Sequence, residues 1–182
     1  MGCCKQLLPL DGRPAIVRGV ESLLAGGLDE IIVVINPAGE EVAAAISHLP
    51  VTVAVNEAPD SDMAESVRAG LAKVATATSG ILIALADTPL VRGETCRFLQ
   101  EQHRRHPDAI LIPVNRGRKG HPTLFPRQVL ATIDRHTTLR DVIQAHTDRV
   151  QLLEVDDPWV VEEMDTPEDY RRLVSLLTPS PS

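Results

Sequence analysis

The stretch Gly80-Ile-Leu-Ile-Ala-Leu-Ala-Asp-Thr-Pro89 decides the fold class. Residues 80–85 form an unbroken aliphatic run that ends in a turn at Thr88-Pro89, which reads as a strand covered on both faces. A polar residue, Asp87, follows it directly. Comparable runs lie on either side: Glu30 to Ile35, Val51 to Val55, Ala109 to Val114 and Leu152 to Val155. Val160 to Met164 reads as a further short strand.

Segments with helical spacing separate these runs. Pro14 opens one in which Ile16, Val17, Val20, Leu23 and Leu24 fall on one face before Gly26-Gly27 stops it. Others cover 39–48, 63–74, 92–106, 126–133, 138–146 and 167–177. Thr138 with Asp141 has capping-box spacing, and Thr166, Pro167 and Asp169 form a second helix start. Alternation of strand and helix implies an α/β fold, a mostly parallel, doubly wound sheet between helical layers. Residues 1–177 are expected to form a single domain, with 178–182 a disordered tail.

The composition agrees. Hydrophobic residues make up 43% of the 182, but the aromatics are only Phe98, Phe125, Trp159 and Tyr170, so the core must be aliphatic. A net charge of −7 argues against a sequence-independent nucleic-acid binder, which needs a basic surface. No apolar segment is long enough to span a membrane. Cys3, Cys4 and Cys96 have no metal-ligand spacing, and their odd number suits a reducing cytoplasm. The opening Met1-Gly2-Cys3-Cys4 fails as an acylation signal because Gln6 stands where Ser or Thr is required.

In open α/β sheets, ligands bind beyond the carboxyl ends of the strands. Asp87 lies at such an end, where it either ligates a hard cation such as Mg²⁺ or merely caps a turn. Lys5 is able to neutralise phosphate charge, although a lysine near a terminus is usually solvated. Arg116, Arg118 and Lys119, on the 115–122 loop, either receive a phosphorylated acceptor or form a solvated surface. Asp165 is not needed by the helix start after it, so it is free to join Asp87 if the two segments meet.

Several segments in order resemble the MobA-like nucleotidyltransferase family, and within it the molybdenum cofactor cytidylyltransferase branch. They are Lys5-Gln-Leu-Leu-Pro-Leu-Asp-Gly-Arg-Pro14, Gly27-Leu-Asp-Glu-Ile-Ile-Val-Val34, Asn56 with Met63-Ala-Glu-Ser66, Asp87-Thr-Pro89, Gly120-His-Pro122 and Asp165-Thr-Pro-Glu-Asp169. The resemblance implies a three-layer, Rossmann-like fold and Mg²⁺-dependent transfer of a nucleotidyl group. CMP from CTP is favoured, the acceptor is a phosphorylated small molecule such as the molybdopterin cofactor, and pyrophosphate is released. It also implies that Lys5 binds phosphate, that Asp87 is the principal metal ligand and that Asp165 is a second. Asn56 and Ser66 would lie along the nucleotide and acceptor side, and Gly120, His121 and Pro122 in the acceptor-side loop.

One departure accompanies the resemblance. Relatives start with a strand and a glycine-rich loop before the lysine, whereas this sequence opens inside that loop. A misassigned start codon is the favoured explanation, and a truncated homologue that binds nucleotide or cofactor without catalysis is the alternative. Loss of that strand is expected to leave sheet edges exposed.

Overall fold

The computed structural model describes residues 4–58, 63–134 and 137–177. The aliphatic runs and periodic segments become strands and helices close to where the sequence places them. A two-residue hairpin, β1 (Pro9–Leu10) and β2 (Arg13–Pro14), leads into α1 (Ala15–Ala25). Then come β3 (Ile32–Ile35), α2 (Glu40–Ile46), β4 (Thr52–Val55), α3 (Met63–Leu71), β5 (Gly80–Ile83) and α4 (Gly93–Arg105). The second half holds β6 (Ile110–Asn115), β7 (Arg118–Lys119), β8 (Thr123–Pro126), α5 (Arg127–Leu130), α6 (Leu139–Ala145), β9 (Val150–Glu154) and α7 (Pro167–Leu177).

Both helix starts form as their spacing predicts. Thr138 and Asp141 close a capping box. Asp169 accepts from Thr166 N at 2.9 Å and Thr166 Oγ1 at 2.7 Å, and Asp169 N donates back to Thr166 Oγ1. The tail at 178–182, residues 59–61 of the polar loop, and Cys3 lie outside the described residues.

The sheet is mixed. β5 pairs antiparallel with β8, and β8 pairs antiparallel with β6 through Leu111 and Leu124. The opposite side of β6 carries β9 in parallel, from Ile110↔Val150 to Val114↔Glu154. β3 and β4 form a separate parallel pair. Strand β8 has no counterpart in the sequence reading, which assigned a loop at 115–122 and a helix near 126. The segment Thr-Leu-Phe-Pro is only four residues long and ends in proline, so its pattern gives little signal. The strand expected at Val160 to Met164 is instead a 3-10 turn at Pro158–Val161. Pro158 supplies its first position, and the Asp157 side chain accepts from Trp159 N at 3.1 Å.

Successive strand residues face opposite layers. Ile110, Ile112 and Phe125 join Ala64, Val67, Val129, Leu130 and Val142 on the side of α3, α5 and α6. Leu111 and Leu124 meet Leu99 of α4 on the other side. Ile16, Val17 and Val20 of α1 pack with Val42 and Ile46 of α2 over β3 and β4. The result is three layers, as the α/β reading requires. A buried carboxylate, Asp157, links the late segment to α4: it accepts from Thr95 Oγ1 at 2.7 Å and Arg92 N at 2.9 Å. Cys96 lies nearby, and burial, with Asp157 close, pushes its thiol up to about 12. It is therefore a protonated core residue rather than a nucleophile.

Phe125 is fully enclosed at the centre of the sheet, whereas Leu152 is 52% exposed. Phe125→Ala is expected to cost about 3–5 kcal/mol. Leu152→Ala is expected to stay within about 0.5 kcal/mol of the parent. Urea denaturation followed by circular dichroism measures both, and equal effects would contradict the placement of β8.

Candidate active site

The Leu85–Thr88 turn carries Asp87 off the end of β5. That turn is closed by Thr88, whose backbone N–H and Oγ1 both donate to the Leu85 carbonyl, at 3.2 and 3.1 Å. The Asp87 side chain takes no part in it. Its Oδ2 lies 3.3 Å from Lys5 Nζ, and its Oδ1 is buried with no hydrogen-bond partner in the protein. The second segment arrives because Met164 N donates to the Asp87 carbonyl at 2.8 Å. That contact brings Asp165 to the same lysine, with Asp165 Oδ1 2.7 Å from Nζ.

Lys5 thus sits between two carboxylates from segments far apart in sequence. Partial burial works against its charge, but the hydrogen bond to Asp165 and the charge of Asp87 outweigh this, and its pKa rises. It stays a cation throughout the neutral range. The pair of carboxylates with one orphaned oxygen fits Mg²⁺, which takes one or two protein carboxylates and completes its shell with substrate phosphates and water. Among the described residues, no group of three or more His, Cys, Asp or Glu side chains is placed to hold a metal by itself. A fully protein-ligated centre, such as structural zinc, does not fit.

Gly120, His121 and Pro122 form a bulge in the hairpin that runs from β6 through β7 to β8. Asn115 pairs with Arg118 and Val114 with Lys119, but the next pair is Leu111 with Leu124. Two extra residues on the returning side must therefore bow out, and bulges of this kind redirect side chains. Gly120 N donates to the Pro113 carbonyl at 2.8 Å, and His121 N to the Val160 carbonyl at 2.7 Å. Gly120 lies so close to the backbone of Val160 that a Cβ would overlap the Val160 carbonyl. His121 Nδ1 is buried without a partner. Burial lowers the His121 pKa, against the opposing charges of Glu163 and Asp87, so the imidazole is neutral at pH 7.

Asn56 and Ser66 are brought together directly: Asn56 Nδ2 donates to Ser66 Oγ at 3.1 Å. Asn56 is buried at the end of β4 and also accepts from Ala58 N. Lys5, Ser66, Asp87 and Pro122 line one cavity of about 1220 Å³, whereas Asn56, Gly120, His121 and Asp165 stand outside its wall. Arg116, Arg118 and Lys119 are exposed on the β6–β7 hairpin, and Arg118 donates to the Val161 carbonyl. Two partners were missed in the sequence. Glu163 lies close enough to act on the charge of His121, and Val160 shapes the glycine bulge. Neither has a local signal, because each matters only through a strand pairing.

Fold and site together define an α/β transferase-type domain whose polar groups converge beyond the carboxyl end of a covered strand. The chain belongs to the MobA-like NTP transferase family, whose domain model matches residues 1–164, and it is accordingly a nucleotidyltransferase. It is 29% identical over 179 residues to nicotine blue oxidoreductase of Paenarthrobacter nicotinovorans, covering 93% of this chain and 87% of that protein. A nucleotidyl transferase from Methanothermobacter is 25% identical with a TM-score of 0.80, over 95% of this chain and 84% of that one. Rv0371c of Mycobacterium tuberculosis H37Rv, solved in complex with manganese, is 30% identical with a TM-score of 0.82. That match covers 96% of this chain and 93% of the other.

Two outcomes follow from this geometry. Gly120→Ala is expected to cost about 1–3 kcal/mol, because the added methyl must displace Val160, and a thermal melt reads it. His121 and His103 both have pKa values lowered by burial from an unfolded value of 6.5. The unfolded chain therefore binds more protons below pH 6.5, and stability is expected to fall as pH drops from 7.5 to 5.5. A His103→Gln/His121→Gln double variant should show a flatter dependence in urea titrations across that window. An unchanged slope would exclude both histidines as its source.

Proposed function

We propose that this nucleotidyltransferase uses Mg²⁺ and CTP, and transfers CMP to the phosphate of a small acceptor such as the molybdopterin cofactor, releasing pyrophosphate. The observation that carries the reading is the Asp87–Lys5–Asp165 cluster, with its buried and unpartnered Asp87 oxygen at the mouth of a large cavity. Manganese in the complex of a related structure supports a divalent cation in the same class of protein.

Asp87 and Asp165 would hold the cation, and Mg²⁺ bound there would supply positive charge to the triphosphate oxygens. Each remaining role belongs to the chain itself. Lys5 is a permanent cation, so it acts as charge and not as a base. Once its carboxylates are engaged elsewhere, its ammonium is free to turn to the α-phosphate and the departing pyrophosphate, where negative charge grows. The Asn56–Ser66 pair offers an amide and a hydroxyl to the nucleotide side. The Gly120-His121-Pro122 bulge, with a neutral imidazole, positions the acceptor phosphate, whose attack on the α-phosphorus needs alignment more than proton transfer. Arg116, Arg118 and Lys119 lie on the same hairpin and favour an anionic acceptor on approach.

A second reading is binding of nucleotide or cofactor without transfer. A pyrophosphate-release assay with each of the four NTPs, Mg²⁺ and molybdopterin separates the two. Release with CTP above the other nucleotides is the expected result. Nucleotide binding by calorimetry with no release would favour the second reading. Asp87→Ala should lower turnover at least 100-fold while leaving the circular dichroism spectrum unchanged, as loss of a charge-stabilising group does. Retained turnover would remove Asp87 from the site.

A further inference from the structure

Among the described residues Asp157 is the most deeply buried acid, 2% exposed, and the chemistry at Lys5, Asp87 and Asp165 leaves it unused. Its carboxylate joins two elements. On one side Oδ2 accepts from Arg92 N at 2.9 Å and Thr95 Oγ1 at 2.7 Å, both at the start of α4. On the other, Oδ1 accepts from Trp159 N at 3.1 Å within the Pro158–Val161 turn. Arg92 adds a further link, with Nη1 donating to the Asp156 carbonyl at 3.0 Å. Burying a carboxylate is costly unless its oxygens are engaged, and both of these are. The carboxylate thus ties the turn to the helix.

The helix is a firm anchor. Arg97 Nη2 and Gln100 Nε2 donate to the Ala25 and Gly26 carbonyls at the end of α1, at 2.8 and 3.0 Å. The two helices meet there backbone to backbone, since a Cβ on Gly93 would fall 2.9 Å from Gly26 N and Ser22 O. The turn, in contrast, is the template for the Gly120-His121-Pro122 bulge. The Val160 carbonyl accepts from His121 N, the Val161 carbonyl from Arg118 Nη2 at 3.3 Å, and the Val160 backbone lies against Gly120. His121 Nδ1 has no partner in the protein, so the backbone bond to Val160 sets where the imidazole stands. A second clamp follows downstream, where Met164 N donates to the Asp87 carbonyl and places Asp165. The two clamps divide the segment: Asp157 sets the turn beside the bulge, and Met164 sets the carboxylate beside Lys5.

We propose that Asp157 is a positioning residue for the acceptor: its carboxylate holds the Pro158–Val161 turn so that His121 and Arg118 are presented to an acceptor phosphate. The inference rests on the reading of the Gly120-His121-Pro122 bulge as the acceptor side. The path from carboxylate to imidazole is short. Asp157 fixes Trp159 N, the next residue offers its carbonyl to His121 N, and each step is a single hydrogen bond. Misplacing a reacting group by about 1 Å from a remote site costs up to about 100-fold in rate, so a small shift of the turn is enough to be measured. The effect is confined to one substrate, because Met164 holds Asp165 and the Asn56–Ser66 pair is closed by its own bond. Loss of the carboxylate therefore weakens use of the acceptor and spares the nucleotide and the cation.

The test compares the full chain with Asp157→Asn, whose amide nitrogen must face the N–H of either Arg92 or Trp159 and so breaks one bond at almost constant volume. With CTP, Mg²⁺ and molybdopterin, kcat/KM for the acceptor is expected to fall at least tenfold, while KM for CTP and the Mg²⁺ requirement stay within about twofold. Thr95→Val, which removes one donor to the same carboxylate, should move the acceptor value in the same direction, and Thr95→Ser, which keeps the hydroxyl, should restore it. The Thr95 pair decides the matter if Asp157→Asn does not fold. Amide exchange reads the same coupling without turnover. In Asp157→Asn the Trp159 and His121 amides should exchange at least tenfold faster, while Gly120, bonded to Pro113, and Met164, bonded to Asp87, keep the parent rates. Equal loss for both substrates, equal acceleration of all four amides, or parent-like His121 exchange overturns the proposal. If the parent chain releases no pyrophosphate, the reading of its function fails by itself, and the exchange rates still decide whether Asp157 positions the bulge.

Discussion

Strand β8 holds the molecule's functional parts in register. It lies antiparallel between β5 and β6, fully buried, and its alternating side chains reach both helical layers through Leu124 and Phe125. The segments that carry Asp87, the glycine bulge and Asp165 depend on that wedge. β5 ends at Asp87. The turn back from β6 into β8 makes the Gly120-His121-Pro122 bulge, and β6 carries β9, whose chain continues through Val160 to Asp165. A short strand with no distinctive pattern thus decides which polar groups meet.

The site itself is balanced around one ammonium. Lys5 is half of two ion pairs, both partly exposed, whose contribution to folding is small by the usual standard of surface pairs. Their value is positional. Two carboxylates lie a few ångströms from one cation, and one buried oxygen of Asp87 is left without a partner in the protein. A buried acceptor without a donor costs stability unless something fills it. That imbalance points to a cation and phosphate more directly than any single residue type does.

Among the described residues, the parallel pair β3 and β4 stands apart from the sheet that collects the site. Among the described residues β3 pairs with β4 and β5 with β8, and the half-buried isoleucine, valine and leucine of both strands line one cavity. That cavity reaches Lys5 and Asp87, so it borders the place where phosphate would sit.

Local pattern alone determined much of this protein. Continuous aliphatic runs and helical spacing specify the layers, and the Thr138 and Thr166 caps specify two helix starts, because each signal lies within a few residues. The ordered motifs around Lys5, Asp87 and Asp165 specify the family and the candidate residues. The tertiary structure alone showed that Asp87 does not cap its turn, since Thr88 closes it and the carboxylate pairs with Lys5. It also decided the place of β8, the conversion of Val160 from strand to turn, and the cavity lined by β3 and β5. Those outcomes depend on pairings between residues distant in the chain, whose partners no local stretch of sequence records.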